Sequence, residues 1–374
     1  MFGNFQLTSL AVIPVLGLLI FVHELGHFLA ARWMGVRVHE FGFGYPPRML
    51  KLFERNGVEY TLNWLPFGGF VRMAGEDDDF DAPDALPNVA PWRRIVVMAA
   101  GPVMNLVAAV LIFATMFMIG TPTYIGDPDK ARVEIVAVAE NSPADMAGVQ
   151  AGDIILTIAG EEMYGIDAVS EAINSRAGQQ VEITLQRGDE IVTVSLTPRL
   201  PEQIPPGQGA SGVQIATYMN PEDIRIVRQN PVAALLGGIR HTAEMITMMI
   251  AGLAELIRAA IAPDVPAPQG GVGGLVAIGR IAAQVAEEGL SDLLNLTAFL
   301  SINLAILNLF PIPALDGGRI VFAAAEMVRR KRIPPEKEAL VHFAGFAILI
   351  AFMLIITFVD ISNWLAGKPP LPGG

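Results

Sequence analysis

The chain has no cysteine among its 374 residues. Disulfides therefore play no part in holding it, and the absence leaves its redox compartment undecided. Charge of either sign is scarce, at 17% of residues, and basic charge is the scarcer: 25 Lys and Arg stand against 37 Asp and Glu, a net charge of −12. That balance argues against nucleic acid as a partner. Over long stretches charge is almost absent, and the mean hydropathy is +0.48. Apolar windows fall at about 8–30, 95–119, 293–313 and 340–359, each near the roughly 20 residues that a helix needs to cross the hydrocarbon core of a bilayer. Four transmembrane helices follow, and the lipid bilayer is the first partner implied. The first window has one alternative, a cleaved signal peptide. Against that, the opening MFGNFQ has no basic residue, and the window runs into His and Glu rather than a small-residue cleavage site.

The few basic residues are unevenly placed. Arg32, Arg37, Arg48, Lys51, Arg55, Arg72, Arg93 and Arg94 lie between the first two windows, and Arg329, Arg330, Lys331 and Arg332 follow the third. By the positive-inside rule both loops are cytoplasmic, which puts both termini and the acidic segment from about 120 to 292 outside. Residues 231–261 test the count. They are apolar but interrupted by Arg240, Glu244, Glu255 and Arg258, with Ile239, Ile246, Ile250, Leu253 and Ile257 at helical spacing. They form either a fifth span or an amphipathic helix on the membrane or against a bundle; parity favours the second, because a crossing would move the RRKR run outside.

Within the external segment the pattern changes to short runs of period two. Strands are expected at about 132–138, 153–158, 181–186 and 191–197, with SPADMAG and DAVSEAINSR as short helices and Gly148, Gly152, Gly160 and Gly188 at turns. The string SPADMAGVQAGDIILTIAG resembles the core of a PDZ domain, and the similarity covers most of 130–199. The resemblance implies a module that adds an extended peptide or a partner's C-terminus to a sheet edge; the alternative is a spacer. No second copy and no other repeat is present. LPEQIPPGQG and APDVPAPQGGVGG read as linkers.

Ionisable groups inside an apolar span cost on the order of 3 kcal/mol each and are functional by default. The first window ends in FVHELGH. On a helix His23 and His27 share a face, so both can reach one ion while Glu24 stands beside it as a general base toward water: the two-histidine half of a zinc hydrolase site. A structural alternative is histidines bonding backbone or headgroups at an interface. A catalytic zinc takes a third protein ligand. His39, His241 and His342 read as ordinary surface or packed histidines. Asp316, in NLFPIPALDGGR, is the better candidate: Pro311 and Pro313 break the helix there, and both the first and third spans approach the cytoplasmic side at His23 and Asp316. The alternative for Asp316 is a capping turn. Between the first two spans, EYTLNWLPFGGFVRMAGE alternates around Pro66, Gly68 and Gly69 as a hairpin would and is too apolar for a free loop.

HELGH in a first span, GPVMN in a second and NLFPIPALDGG in a third resemble the site-2 protease family of intramembrane zinc proteases, and among them the bacterial regulator of sigma-E protease group. The resemblance implies that His23, His27 and Asp316 ligate Zn2+, that Glu24 is the catalytic acid/base, and that Asn308 positions the substrate backbone. It also implies a membrane-associated β-hairpin presenting an edge to the substrate, the transmembrane segment of another membrane protein such as an anti-sigma factor or signal-peptide remnant. The location implied is a bacterial inner membrane. Asn105 in GPVMN either packs spans together or lines the site. One PDZ domain stands where the group commonly has two. The expected fold is thus a multi-pass α-helical membrane protein with a membrane-associated β-hairpin and an inserted extracytoplasmic α+β PDZ domain. Its parts are a first transmembrane helix (1–33), the hairpin loop (34–93), a second transmembrane helix (94–119), the PDZ domain (128–199), and a linker with amphipathic helix (200–292). A third transmembrane helix with the LDG motif (293–331) and a fourth (338–362) complete it. Two readings of other classes are a membrane zinc transporter built on the same three ligands and a catalytically silent adaptor displaying its PDZ domain.

Overall fold

A computed structural model describes residues 12–76, 79, 81–127, 130–205, 208–220, 223–262 and 274–366. The start of the first apolar window and most of the second linker lie outside the described residues. The protein divides into two compact units, one formed by 1–119 with 229–374 and the other by 120–228.

The first unit opens with α1 (Val12–Met34), an apolar helix carrying HELGH in its second half. Two long strands follow, β1 (Val38–Arg55) and β2 (Val58–Met73). Their turn is Asn56-Gly57, with φ of 53° and 75°, the Asn-Gly pair suited to the left-handed conformations of a two-residue hairpin. The turn expected at Pro66, Gly68 and Gly69 is therefore corrected: those residues lie within β2, where the strand bends. Each strand is used in two segments. Residues 48–55 pair antiparallel with 58–63, from Arg55↔Val58 to Arg48↔Asn63. Glu40–Phe43 pair with Glu59–Leu62 in ascending register and, on their other edge, with Gly69–Arg72 in descending register. The effect is a four-segment sheet ending in Gly69–Met73. Buried Glu40 accepts from Thr61 at 2.7 Å and pairs with Arg48 at 2.7 Å, which satisfies its buried charge. The sheet packs on α1 through Phe28, Phe41 and Val38. Next comes α2 (Pro91–Ile119), with Pro102 inside it.

The second unit holds β3 (Thr121–Tyr124), β4 (Val133–Val138), α3 (Pro143–Met146), β5 (Ile154–Ile158), β6 (Glu161–Glu162) and α4 (Ile166–Asn174), then β7 (Val181–Arg187), β8 (Glu190–Leu196), β9 (Val213–Thr217) and β10 (Ile224–Val227). Alternating side chains of β4, β5, β7 and β8 fill one core with Val169 and Ile173 of α4. The sheet order is β8-β7-β5-β4-β9, with β6 on β5. The four strands and two short helices fall where the period-two runs put them. The sheet extends past residue 199, however: Val213–Thr217, inside what read as linker, pairs with β4. Its period-two run is only five residues and follows a Pro- and Gly-rich stretch, so the sequence signal is weak. β3 and β10 pair with each other, Thr121↔Val227, so the unit's entry and exit are neighbours.

The first unit resumes with α5 (Pro231–Ile261), whose Asn230 caps it by accepting from the Ala233 amide. Its packed face is Ala234, Gly238 and Thr242, continued by Met245, Ile246 and Met249 against α2. Of the stripe read from sequence, Ile239, Ile250 and Ile257 are exposed. After α6 (Leu275–Glu288) come α7 (Leu290–Leu309), α8 (Asp316–Arg329) and α9 (Pro335–Leu365). The expected third span is thus two helices, broken over 310–315 where Pro311 and Pro313 donate no backbone hydrogen bond. Among the described residues four helices, α1, α2, α7 and α9, are long and apolar enough to cross a membrane, and α5 is not one of them.

Candidate metal centre

α1 and α2 approach closely because Gly26 faces Ala100: a Cβ on Gly26 would collide with the Ala100 carbonyl. At the next residue of α2, a Cβ on Gly101 would fall onto the imidazoles of His23 and His27. These two glycines create the hollow that the histidines occupy. The helix break after α7 then brings in Asp316, the first residue of α8. Its loop is held from α9, where Nδ1 of His342 accepts from the Ala314 amide at 2.8 Å; Ala314 is a non-glycine residue at φ 80°.

His23 and His27 are buried, at 7% and 5% exposure. Oδ2 of Asp316 lies 3.0 Å from Nε2 of His23 and 3.3 Å from Nε2 of His27, and the two nitrogens are 3.1 Å apart. This is the one group of three His and acidic side chains among the described residues with its donor atoms converged as a metal ligand set. Ligand atoms about 2.0–2.1 Å from a tetrahedral zinc stand roughly 3.4 Å from one another, so the set fits that ion closely.

The surroundings fit it too. Nδ1 of His27 donates to the Val97 carbonyl at 2.8 Å, which fixes the tautomer with the Nε2 lone pair free. Asn105, fully buried on α2, has its amide 3.3 Å from Nδ1 of His23 while its Oδ1 is without a hydrogen-bond partner among the described residues. Turning the amide over lets Oδ1 accept from Nδ1–H and leaves Nε2 of His23 equally free. Ser301 of α7 anchors the same residue by donating to the Asn105 carbonyl at 2.8 Å. Asn105 therefore supports His23, a role sequence spacing left open.

Glu24 lines the same cleft of about 720 Å3, together with Tyr45, Phe70, Val71 and Asn308. Asn308 is half-buried at the end of α7 and donates to the Leu304 carbonyl at 3.0 Å. Arg319, paired to Glu76 at 2.8 Å, lines it as well, and nothing in the sequence pattern singled out that pair. His39 lies 3.4 Å from Asp79 and His241 packs on the Phe113 ring, so neither joins the cluster.

The pattern of Peptidase family M50 matches residues 11–352. The chain belongs to that peptidase family. A zinc metalloprotease of Bacillus licheniformis, RasP, is 31% identical over 95% of this chain and 99% of its own. A Clostridium perfringens protein, provisionally named as a zinc metalloprotease, is 34% identical over 92% of this chain and 95% of its own. Among solved structures, the PDZ domain of an SdrC-like protein from Listeria monocytogenes is similar over 24% of this chain and 92% of that domain, at 21% identity and a TM-score of 0.21. As an M50 peptidase the protein is an enzyme, which sets aside the transporter and the silent adaptor.

Proposed function

We propose that this enzyme cleaves a peptide bond within or near the transmembrane segment of other membrane proteins in a bacterial inner membrane. It is a zinc metalloprotease, and His23, His27 and Asp316 are its ligands. One observation carries the reading: three converged donors lie in a cleft walled by α1, the β1–β2 sheet and the start of α8, with Glu24 facing the same space. A zinc ion held by these donors supplies the Lewis acidity that polarises a carbonyl and makes water a nucleophile near neutral pH. Glu24 takes the water's proton and returns it to the departing amine nitrogen. Asn308 holds the substrate backbone at the cleft's edge.

A transmembrane helix hides its peptide bonds in its own hydrogen bonds, so it must be extended before attack. Gly69–Met73 supports this step: its registered partners all lie in Val38–Phe43, and Gly69, Phe70, Val71 and Met73 line the cleft. An unwound segment adding to that edge exchanges helical for sheet hydrogen bonds beside Glu24. The 120–228 unit is read as an extracytoplasmic PDZ domain that excludes substrates with bulky external parts and takes a peptide or C-terminus. A single-pass membrane protein incubated with the enzyme in nanodiscs, its fragments mapped by mass spectrometry, tests the proposal. The expected cut lies inside the apolar stretch or within a turn of it; cuts confined to soluble segments would refute it.

A further inference from the structure

At one end of the first unit three spans share a rim. α1 ends there at Met34, α2 begins at Pro91 and α9 at Pro335, and Arg93 Nη1 ties two of them by donating to the Met34 carbonyl at 3.3 Å. The ends of three membrane-length helices set this rim at headgroup level. An open cleft of about 350 Å3 lies there between the start of α2 and the end of α8, walled by Trp92, Met327, Arg330, Lys331 and Arg332. Arg329 adjoins it, and the Arg93 guanidinium stacks 5.4 Å above the Trp92 ring.

The charge pattern separates these cations from the others nearby. Arg94 is buried and pairs with Glu326 at 2.7 Å, and Arg319 pairs with Glu76 at 2.8 Å. Arg329, Arg330 and Lys331 have no carboxylate partner among the described residues, and Arg332 bonds only to Asn88. Glu326, the one acid on the cleft wall, is taken up by Arg94 and by the Ile333 amide at 2.8 Å. In a protein of net charge −12, four consecutive cations, Arg329 to Arg332, thus stand at one cavity without a carboxylate partner among the described residues. Met327 and Val328, 50% and 83% exposed, extend an apolar strip beside it, and Trp92 supplies the aromatic ring that favours the membrane–water boundary. Arg330 itself sits at φ 50° at the end of α8, a position where helices ordinarily place glycine.

We infer that this cleft is a binding site for the phosphate of an anionic phospholipid headgroup, held by Arg330, Lys331 and Arg93, with an acyl tail lying along Met327 and Val328. A free phosphate meets the same cations but forgoes the apolar strip. A Lys or Arg near an anionic membrane surface contributes about fivefold in affinity, so removing two cations should cost on the order of 25-fold.

The test uses the full-length enzyme in phosphatidylcholine nanodiscs with graded phosphatidylglycerol, reading bound anionic lipid by native mass spectrometry. The double variant Arg330→Gly, Lys331→Gln suits the turn, since glycine accepts that φ, and should lose anionic lipid on the order of 25-fold. Lys331→Glu, which leaves the turn's backbone alone, should show a loss at least as large as that from one cation. Arg258→Gln, an exposed cation on α5, should change nothing. In detergent, phosphatidylglycerol should raise the unfolding temperature of the unmodified enzyme and millimolar inorganic phosphate should not. Undiminished lipid retention by both cleft variants overturns the site, and an equal shift with inorganic phosphate overturns the lipid assignment.

Discussion

At the scale of single residues, the proposed ligand set depends on groups that are not ligands. Asn105 touches His23 rather than the ion, so Asn105→Ala should leave the fold intact and weaken zinc about 10- to 100-fold, the usual effect of losing an outer partner of a metal ligand; competition with a calibrated chelator measures it. Gly101→Ala is the steric counterpart. Its methyl would occupy the space of the two imidazoles, and the variant should be helical by circular dichroism yet hold well under one zinc per molecule. Arg94 makes a different case. With Glu326 and Glu338 it joins α2, α8 and α9 in a buried ion-pair group, Arg94 and Glu326 being 8% and 6% exposed. Arg94→Leu strands two carboxylates and should cost about 3–5 kcal/mol, visible as a large drop in thermal unfolding temperature. Replacing Glu326 by Leu as well should recover part of it. HELGH and LDGG point to the ligands because their spacing is local. The partners of those ligands were not legible, since Asn105 and Val97 meet the histidines only through the Gly26–Gly101 approach of two helices, which no spacing records.

Secondary-structure elements were read unevenly, for physical reasons. The four apolar helices were legible as nearly uncharged runs of membrane length, and the strands β4, β5, β7 and β8 as short runs of period two. The hairpin was misplaced because Pro66 and two glycines look like a turn, whereas a sheet that bends upon itself uses them inside a strand and turns at Asn56-Gly57. On α5 much of the isoleucine stripe lies on the exposed face, and the packed face is built on Ala234, Gly238 and Thr242, small residues that leave little hydrophobic signal in the sequence. In the inserted unit, Asp153 ties β5 to β7: the carboxylate is buried and receives Arg187 at 2.7 Å on each oxygen and the Gln150 amide at 2.9 Å. Burial pushes its pKa up, but the Arg187 hydrogen bonds and the Gln150 amide outweigh that and hold it below the usual carboxylate value. A folded value below the unfolded one means the contribution is complete above about pH 4 and is lost as pH falls through the folded value. Hydrogen exchange of residues 120–228 in the intact protein should therefore show an acid-sensitive loss of protection at low pH. Asp153→Asn should be less protected at neutral pH, with that acid limb flattened; an unchanged limb would contradict the assignment.

On the scale of the whole molecule, the protein is a membrane peptidase interrupted by a self-contained insertion. The insertion's first and last strands pair, and the Gln229 amide bonds the Phe117 carbonyl at 3.0 Å across the junction, so the first unit closes over the gap. Excising 120–228 and joining Ile119 to Gln229 through a short Gly-Ser linker should leave a folded enzyme that still binds zinc. If the insertion filters substrates, that enzyme should cut untrimmed membrane proteins the intact enzyme refuses; unchanged selectivity in a substrate panel would count against a filter. The central claim is that Glu24 does acid–base work beside an ion held by His23, His27 and Asp316. Purified Glu24→Gln in nanodiscs, assayed in one sample for zinc content and for cleavage of a single-pass substrate, tests it most directly. The account predicts about one zinc per molecule, substrate still bound, and cleavage reduced by at least a thousandfold; cleavage at the unmodified rate would contradict it.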